Sequence, residues 1–379
     1  MVIQFSDLYA QHKELDKEIK KAINKVIKKS DFILGEDVRL FEEEFAKFCH
    51  SRYAVGVSSG TAALFLALSA LGIKEGDEVI VPAFTYIATA FAVSYTGAKP
   101  VFVDIREDTY NIDADKIKKA ITKNTRAIIP VHLYGQPADM PRILKIAKEH
   151  NLKVIEDAAQ AHGASIKMPN GKWKVCGGIG DVGCFSFYPS KNLGAMGDAG
   201  IITTDNEETY RKLLMLRDYG RVSKYEHAVI GYNARLDTLQ AAILRLKLKR
   251  LDAWNKMRRE AAERYNNLLK DLGGVVIPYV SMSVKHVYHV YAIRVKKRDE
   301  LALLLKKNGI GAIVHYPIPL HLQEAYRGLG YKKGDFPVSE KVAQEIISLP
   351  MHPHLKENQI KYVVGVIKWK RKHPFQSLS

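Results

Sequence analysis

"DEVIVPAFTYIATAFAVSYTGAKPVFVDI", Asp77 to Ile105, reads as strand, helix, strand. Val79 to Val81 is an unbroken β-branched run, so "DEVIVPA" predicts a strand buried on both faces, with "TYIATAFAVSYTG" as a helix and "KPVFVDI" as the next strand. Strands of that kind build a mostly parallel sheet flanked by helices.

The alternation extends in both directions. Upstream, "YAVGVSS" is a strand and "GTAALFLALSAL" a helix; downstream come the helix "DADKIKKAIT", the strand "TRAIIPVH", the helix "MPRILKIAKEHN" and the strand "KVIEDA". Two short strands follow, "GCFSFY" and "GIITT", then a helical stretch from Thr238 to Leu272. At the start, two amphipathic helices flank "DFILGED": Leu15, Ile19, Ile23 and Val26 share one face, and Phe41, Phe45 and Phe48 another. The composition changes at Gly273 and Gly274. Beyond them "HVYHVYAIRV" reads as a strand, "RDELALLLKKNG" as a helix closed by Gly309, "IGAIVHY" as a strand and "SEKVAQEIISL" as a helix. The expected fold is a large α/β domain, residues 1–255 with the N-terminal helices, and a smaller α+β domain, residues 256–379.

With 379 residues and 47% hydrophobic content the chain can fill such a pair of cores. No stretch approaches 18 consecutive apolar residues, and the C-terminal "KWKRKHPFQSLS" lacks a lipidation motif, so a soluble cytoplasmic protein without a membrane partner is expected. Cys49, Cys176 and Cys184 have no metal-site spacing and are odd in number, which suggests packing residues and no metal. The formal charge of +17 invites a nucleic-acid reading. Its spread through "KKAINKVIKKS", "KIKKAITK" and "LKLKRLDAWNKMRRE" favours solvated helix faces and a surface that attracts anionic small molecules instead.

Parallel sheets bind ligands at the carboxyl ends of their strands. Gly60 and Thr61 open a helix directly after a strand, which offers an anion site or simply a capped helix. Tyr86 follows another strand, either to stack on a flat cofactor or to fill core. Asp157 and Gln160 follow "KVIE"; an acid at a buried strand end needs compensation, or else caps the next turn. Ser186 and Lys191 stand in "FSFYPSKNLGAMGDAG", where an apolar setting would favour a nucleophilic amine, with a snorkelling surface lysine as the alternative. Together these groups fit pyridoxal 5'-phosphate, which needs an amine for a Schiff base, a carboxylate for its ring nitrogen, an anion site and a stacking ring.

From "DFILGEDVRLFEEEFAKF" through "VHLYGQPADM", "VIEDAAQAHGA" and "FSFYPSKNLGAMGDAG" to "GYNARLDTLQAAIL" and "HYPIPLHLQ", the chain resembles the DegT/DnrJ/EryC1/StrS sugar aminotransferases, fold-type I pyridoxal phosphate enzymes of the aspartate aminotransferase fold. The resemblance implies that Lys191 is the Schiff-base lysine, that Asp157 meets the pyridine nitrogen, that Gln160 bonds the phenolic oxygen and that Tyr86 stacks. It gives the phosphate to Gly60, Thr61 and Ser186. It further implies a homodimer with shared sites: Asn233 reaching the neighbour's phosphate, Arg235 a substrate carboxylate, and His315 and Tyr316 lining the sugar pocket from across the interface. The implied reaction is ping-pong transfer of the amino group of L-glutamate to a nucleotide-linked keto sugar. "FYPSKNLGAMGDAG" is more similar to the C-3 branch than to the C-4 branch, and lysine at 191, where some relatives carry histidine, favours transamination over dehydration.

Overall fold

The β-branched runs pair into one seven-stranded sheet. The computed structural model describes residues 1–372; residues 373–379, which end the segment read above for lipidation, lie outside the described residues. The first half of the chain comprises α1 (Leu8–Glu14), α2 (Asp16–Lys29), α3 (Glu36–Cys49), β1 (Tyr53–Val57), α4 (Gly60–Ala70), β2 (Glu78–Pro82), α5 (Ala88–Tyr95) and β3 (Lys99–Val103). It continues with α6 (Ala114–Ala120), β4 (Thr125–Ile128), α7 (Met140–Glu149) and β5 (Lys153–Asp157), then the short β6 (Ser165–Lys167) and β7 (Trp173–Val175). β8 (Val182–Ser186), β9 (Gly200–Thr204), α8 (Glu207–Leu216), α9 (Thr238–Leu248) and α10 (Leu251–Leu269) follow. The chain closes with β10 (Val284–Lys285), β11 (Tyr291–Arg294), α11 (Arg298–Lys307), α12 (Pro337–Glu345), β12 (Ile346–Leu349) and α13 (Glu357–Lys372).

The large sheet runs β1-β9-β8-β5-β4-β2-β3. Neighbours from β8 to β3 are parallel, and β9 alone runs against β1 and β8. Alternation along each strand sends side chains to opposite helical layers. Val79 and Val81 pack into the core built with α4 and α5, and Ile80 between them joins the one built with α6 and α7. This is the expected α/β fold with helices on both faces. The carboxyl ends of β1, β2, β5 and β8 therefore lie along one edge, and the four sequence-marked places converge there.

A second core gathers the later half of α10 (Ala261, Ala262, Tyr265, Leu269) with β11, β12, α11 and α13. Ile3 also joins it, its backbone bonded to Gly309 and Gly311. α10 crosses position 255/256 and links the two cores, since its Leu251 and Trp254 pack with the N-terminal helices and α9.

Three local expectations are corrected. The stretch from Thr238 to Leu272 breaks between Leu248 and Leu251 without any glycine or proline, so tertiary packing of the fully buried Leu251 imposes the turn. "SEKVAQEIISL" is helical only to Glu345; Ile346–Leu349 pairs with β11 in antiparallel register, which overrides the helical spacing. "IGAIVHY" makes only isolated bridges, Ile3 with Ile310 and Ile313 with Ser348, before it turns toward the site.

Candidate active site

A cavity of about 500 Å³ opens between the carboxyl edge of the sheet and the smaller lobe. Gly60, Thr61, Tyr86, Asp157, Gln160, Ser186, Lys191, His315 and Tyr316 all line it.

The α4 end supplies two free backbone donors. Ser59 caps the helix, its hydroxyl accepting from Ala62 N at 3.1 Å, and its carbonyl accepts from Ala63 N. The N–H groups of Gly60 and Thr61 have no intrahelical partner and carry the positive end of the helix dipole. Ser186 at the end of β8 packs directly over them: a Cβ on Gly60 would lie 2.5 Å from the Ser186 Cβ, so only glycine lets the two strand ends approach. Gly200, which opens β9, lies as close on the other side, since its Cβ would meet the Ser59 carbonyl at 2.3 Å.

Asp157 ends β5 and is 6% exposed. Thr89 donates to its Oδ2 at 2.8 Å and Ala159 N to its Oδ1 at 3.2 Å. Burial nevertheless raises its pKa above the ordinary carboxylate value, outweighing those bonds and the attraction of Lys191. Burial thus favours the neutral acid, and a cation placed beside it in the cavity would favour the carboxylate.

Lys191 sits in the turn after β8 and lines the cavity. Desolvation lowers its pKa to about 8, with Asp157 opposing. Its segment is held from outside: Asn192 donates to Asn255 Oδ1 at 2.8 Å, Gln240 bonds both Met196 N and Met196 O, and the buried Lys247 ammonium donates to the Gly194 carbonyl. These contacts fix the turn that carries Lys191, whose side chain lines the cavity.

Gln160 accepts from Tyr134 N at 2.6 Å and donates to the Tyr316 hydroxyl at 3.1 Å, so its amide is oriented before any ligand arrives. The rings of Tyr86 and Tyr316 approach at 5.8 Å. His315 and Tyr316 correct the expectation drawn from the resemblance: they reach the cavity of their own chain, because the segment after Ile313 folds back over the sheet edge. Asn233 and Arg235 do not line this cavity. Asn233 is exposed and bridged to Asp218, and Arg235 donates to Asp218 at 3.0 Å with its guanidinium over Tyr219.

Sequence reasoning passed over Thr89, Tyr134 and His289. Thr89 lies one helical turn beyond Thr85 in the same strand-end segment, a spacing that could have flagged it. Nothing local marks the other two. Behind the site, fully buried Glu156 accepts from Gly177, Ile179 and Gly180 N at 2.7–2.8 Å and faces His132 Nε2 at 2.9 Å, while His132 Nδ1 accepts from Ala138 N. Cys176 is nearby, but every one of these carboxylate and imidazole acceptors already has an N–H partner, so the group staples the loop before β8 to β5.

Lys191 with its lowered basicity, buried Asp157 and the start of α4 thus meet in one cavity at the edge of a parallel sheet. The chain belongs to the DegT/DnrJ/EryC1/StrS aminotransferase family, whose model matches residues 13–368. It is 44% identical to the dTDP-3-amino-3,4,6-trideoxy-alpha-D-glucose transaminase of Streptomyces venezuelae, covering 97% of this chain and 95% of that one. It is 46% identical to the UDP-N-acetyl-3-dehydro-alpha-D-glucosamine 3-aminotransferase of Acidithiobacillus ferrooxidans, covering 97% of each. Among solved structures, S. venezuelae DesV in complex with a ketimine intermediate superposes with a TM-score of 0.95 at 44% identity, covering 98% and 99% of the two chains. NtdA of Bacillus subtilis with bound PMP gives 0.85 at 35% identity, covering 94% and 82%. The protein is thus an aminotransferase. Among the described residues no helix is long and apolar enough to cross a membrane.

Proposed function

We propose that the protein is a pyridoxal phosphate-dependent aminotransferase that moves the amino group of L-glutamate to the C-3 keto group of a nucleotide-linked sugar. The observation that carries this reading is the convergence, in one cavity, of Lys191, the undercompensated Asp157 and the free N–H groups of Gly60 and Thr61 beside Ser186. These residues fit the cofactor. The α4 end and Ser186 would take its phosphate, Asp157 its ring N–H, Gln160 Nε2 its phenolic oxygen, and Tyr86 its face. The 3-amino sugar in one relative's name, and the 3-dehydro sugar and 3-amino transfer in the other's, support the choice of C-3.

When bound, the cofactor supplies a carbonyl for the amine and a ring that accepts the electron pair left by a departing proton. Lys191 Nζ, with its pKa near 8, would take the α-proton of the amino donor and deliver it across the nitrogen to the carbon that carried the cofactor's carbonyl, and would run the sequence in reverse with the sugar. Asp157 keeps the ring nitrogen protonated. The site is completed by a second copy of the chain, whose Asn233 and Arg235 reach the phosphate and a substrate carboxylate. Exposed Tyr225 and Ile230, in the same segment as these two residues, support that placement. We assign residues 1–255 and 256–379 as the two domains and the cytoplasm as the compartment.

The test is spectroscopic and kinetic. The purified protein should show the imine absorption of a bound cofactor, lost in Lys191→Ala together with glutamate-dependent amination of 3-keto nucleotide sugars detected by mass spectrometry. Amination by Lys191→Ala, or turnover that needs no amino donor, refutes the assignment.

A further inference from the structure

His289 lies between β10 and β11, lines the cavity and is partly accessible from it. Its ring is anchored on the other side, with Nδ1 3.2 Å from Asn192 Oδ1. Asn192, the residue after Lys191, is 1% exposed, and its amide orientation follows from its other contacts. Nδ2 donates to the Val287 carbonyl at 3.0 Å and to Asn255 Oδ1 at 2.8 Å. A backbone carbonyl can only accept, so the atom facing His289 is the amide oxygen, and the ring hydrogen must sit on Nδ1. The lone pair is then on Nε2, at the edge of the ring turned away from Asn192. The backbone at this point is also pinned, because buried Arg258 donates to the carbonyls of Tyr288, His289 and Met351 at 3.1–3.4 Å.

We propose that His289 is a positioning residue for Lys191: its Nε2 accepts a hydrogen bond from the Lys191 amine while that amine is detached from the cofactor, and so aims it along the reaction path. The inference rests on the transaminase reading above. A detached amine on a flexible four-carbon stem must hold a proton and deliver it to a defined carbon. The acceptor that aims it must not take the proton. His289 meets that condition, since burial, reinforced by the charges of Lys191 and Arg258 and by His315 and His162, holds its ring well below the usual histidine range. Among the other groups near Lys191, Asp157 is the one assigned above to the cofactor ring, and fully buried His162 lies against the rings of Phe185 and Phe187. His315 Nδ1 meets Ser348 Oγ at 2.9 Å, a hydroxyl that can donate or accept and so does not fix the ring hydrogen, as Asn192 fixes that of His289. Because Asn192 adjoins Lys191, the acceptor is tied to the lysine's own segment.

Two measurements on the full-length, cofactor-free protein test this without turnover. Long-range ¹H–¹⁵N spectra of labelled histidines should show His289 as the Nδ1–H tautomer, assigned by its loss in His289→Gln; an Nε2–H tautomer overturns the proposal. The pH dependence of Lys191 acylation, followed by mass spectrometry, should move down by about one unit in His289→Phe, which loses an acceptor for the ammonium form, and return toward wild type in His289→Gln. In the loaded enzyme, His289→Phe should slow the glutamate and sugar half-reactions alike, about ten- to a hundredfold, with both KM values nearly unchanged. An unmoved Lys191 titration, or slowing confined to the sugar half-reaction, overturns it. Absence of imine absorption from the wild-type protein would instead defeat the transaminase reading.

Discussion

Gly60→Ala is a small change with a calculable consequence. The added methyl would stand 2.5 Å from Ser186 Cβ and 3.1 Å from both Ser186 Cα and Oγ. Ordinary carbon contacts lie at about 3.5–4.0 Å, so the end of β8 must retreat from the α4 end by roughly 1 Å. Gly60 has a helical backbone that alanine adopts easily, and the clash therefore accounts for the whole effect. Retreat removes the Ser186 hydroxyl from the anion site, which forfeits one hydrogen bond to a charged group, about 1.5–3 kcal/mol, or roughly ten- to a hundredfold in cofactor Kd. Equilibrium titration with pyridoxal phosphate, read by imine absorption, measures this directly. The double variant Gly60→Ala with Ser186→Gly relieves the clash but still lacks the hydroxyl. It should regain thermal stability without regaining affinity, the separation that a cycle of single and double variants resolves. A Gly60→Ala protein whose Kd stays within about threefold of wild type would refute the placement of the phosphate, given what a single charged hydrogen bond contributes.

Two further predictions concern the scaffold. Glu156→Ala leaves three backbone donors and His132 facing an apolar void, which should cost about 3–5 kcal/mol and appear as a fall in urea midpoint; a change below 1 kcal/mol would show that the loop before β8 is held elsewhere. Lys247, 2% exposed, has its pKa lowered by burial from 10.5 to about 8. Below pH 8 both folded and unfolded chains carry this charge and the burial penalty is fully present. Between 8 and 10.5 the unfolded chain binds more protons, so the penalty fades as pH rises, by an amount of order 3 kcal/mol. Wild-type stability measured against Lys247→Met should therefore improve from pH 7.5 to 10; a pH-independent difference would show that the ammonium is not desolvated.

Much of the fold was legible because continuous β-branched runs and 3.6-residue spacings are local signals. The places that misread were those where a distant partner overruled the local pattern. Ile346–Leu349 continues a helical spacing but is claimed by β11, and the break at Leu248 to Leu251 carries no helix-breaking residue at all. The same distinction runs through the site. Nine of the eleven candidate residues line one cavity because they stand at the ends of parallel strands or in the segment that folds over them, while Asn233 and Arg235 are turned to another face.

By itself, the sequence determined the parallel sheet, the edge along which chemistry would gather, and the residue types gathered there, since each is written in a short run of neighbours. Only the tertiary structure decided how those residues behave. Desolvation by groups far away in the chain lowers Lys191 and raises Asp157, and an approach of Gly60 to Ser186 too close for a methyl shapes that end of the cavity. The hydrogen on His289 is likewise set by Asn192, 97 residues away along the chain, because a proton's position depends on what lies across the hydrogen bond, which no spacing along the chain encodes.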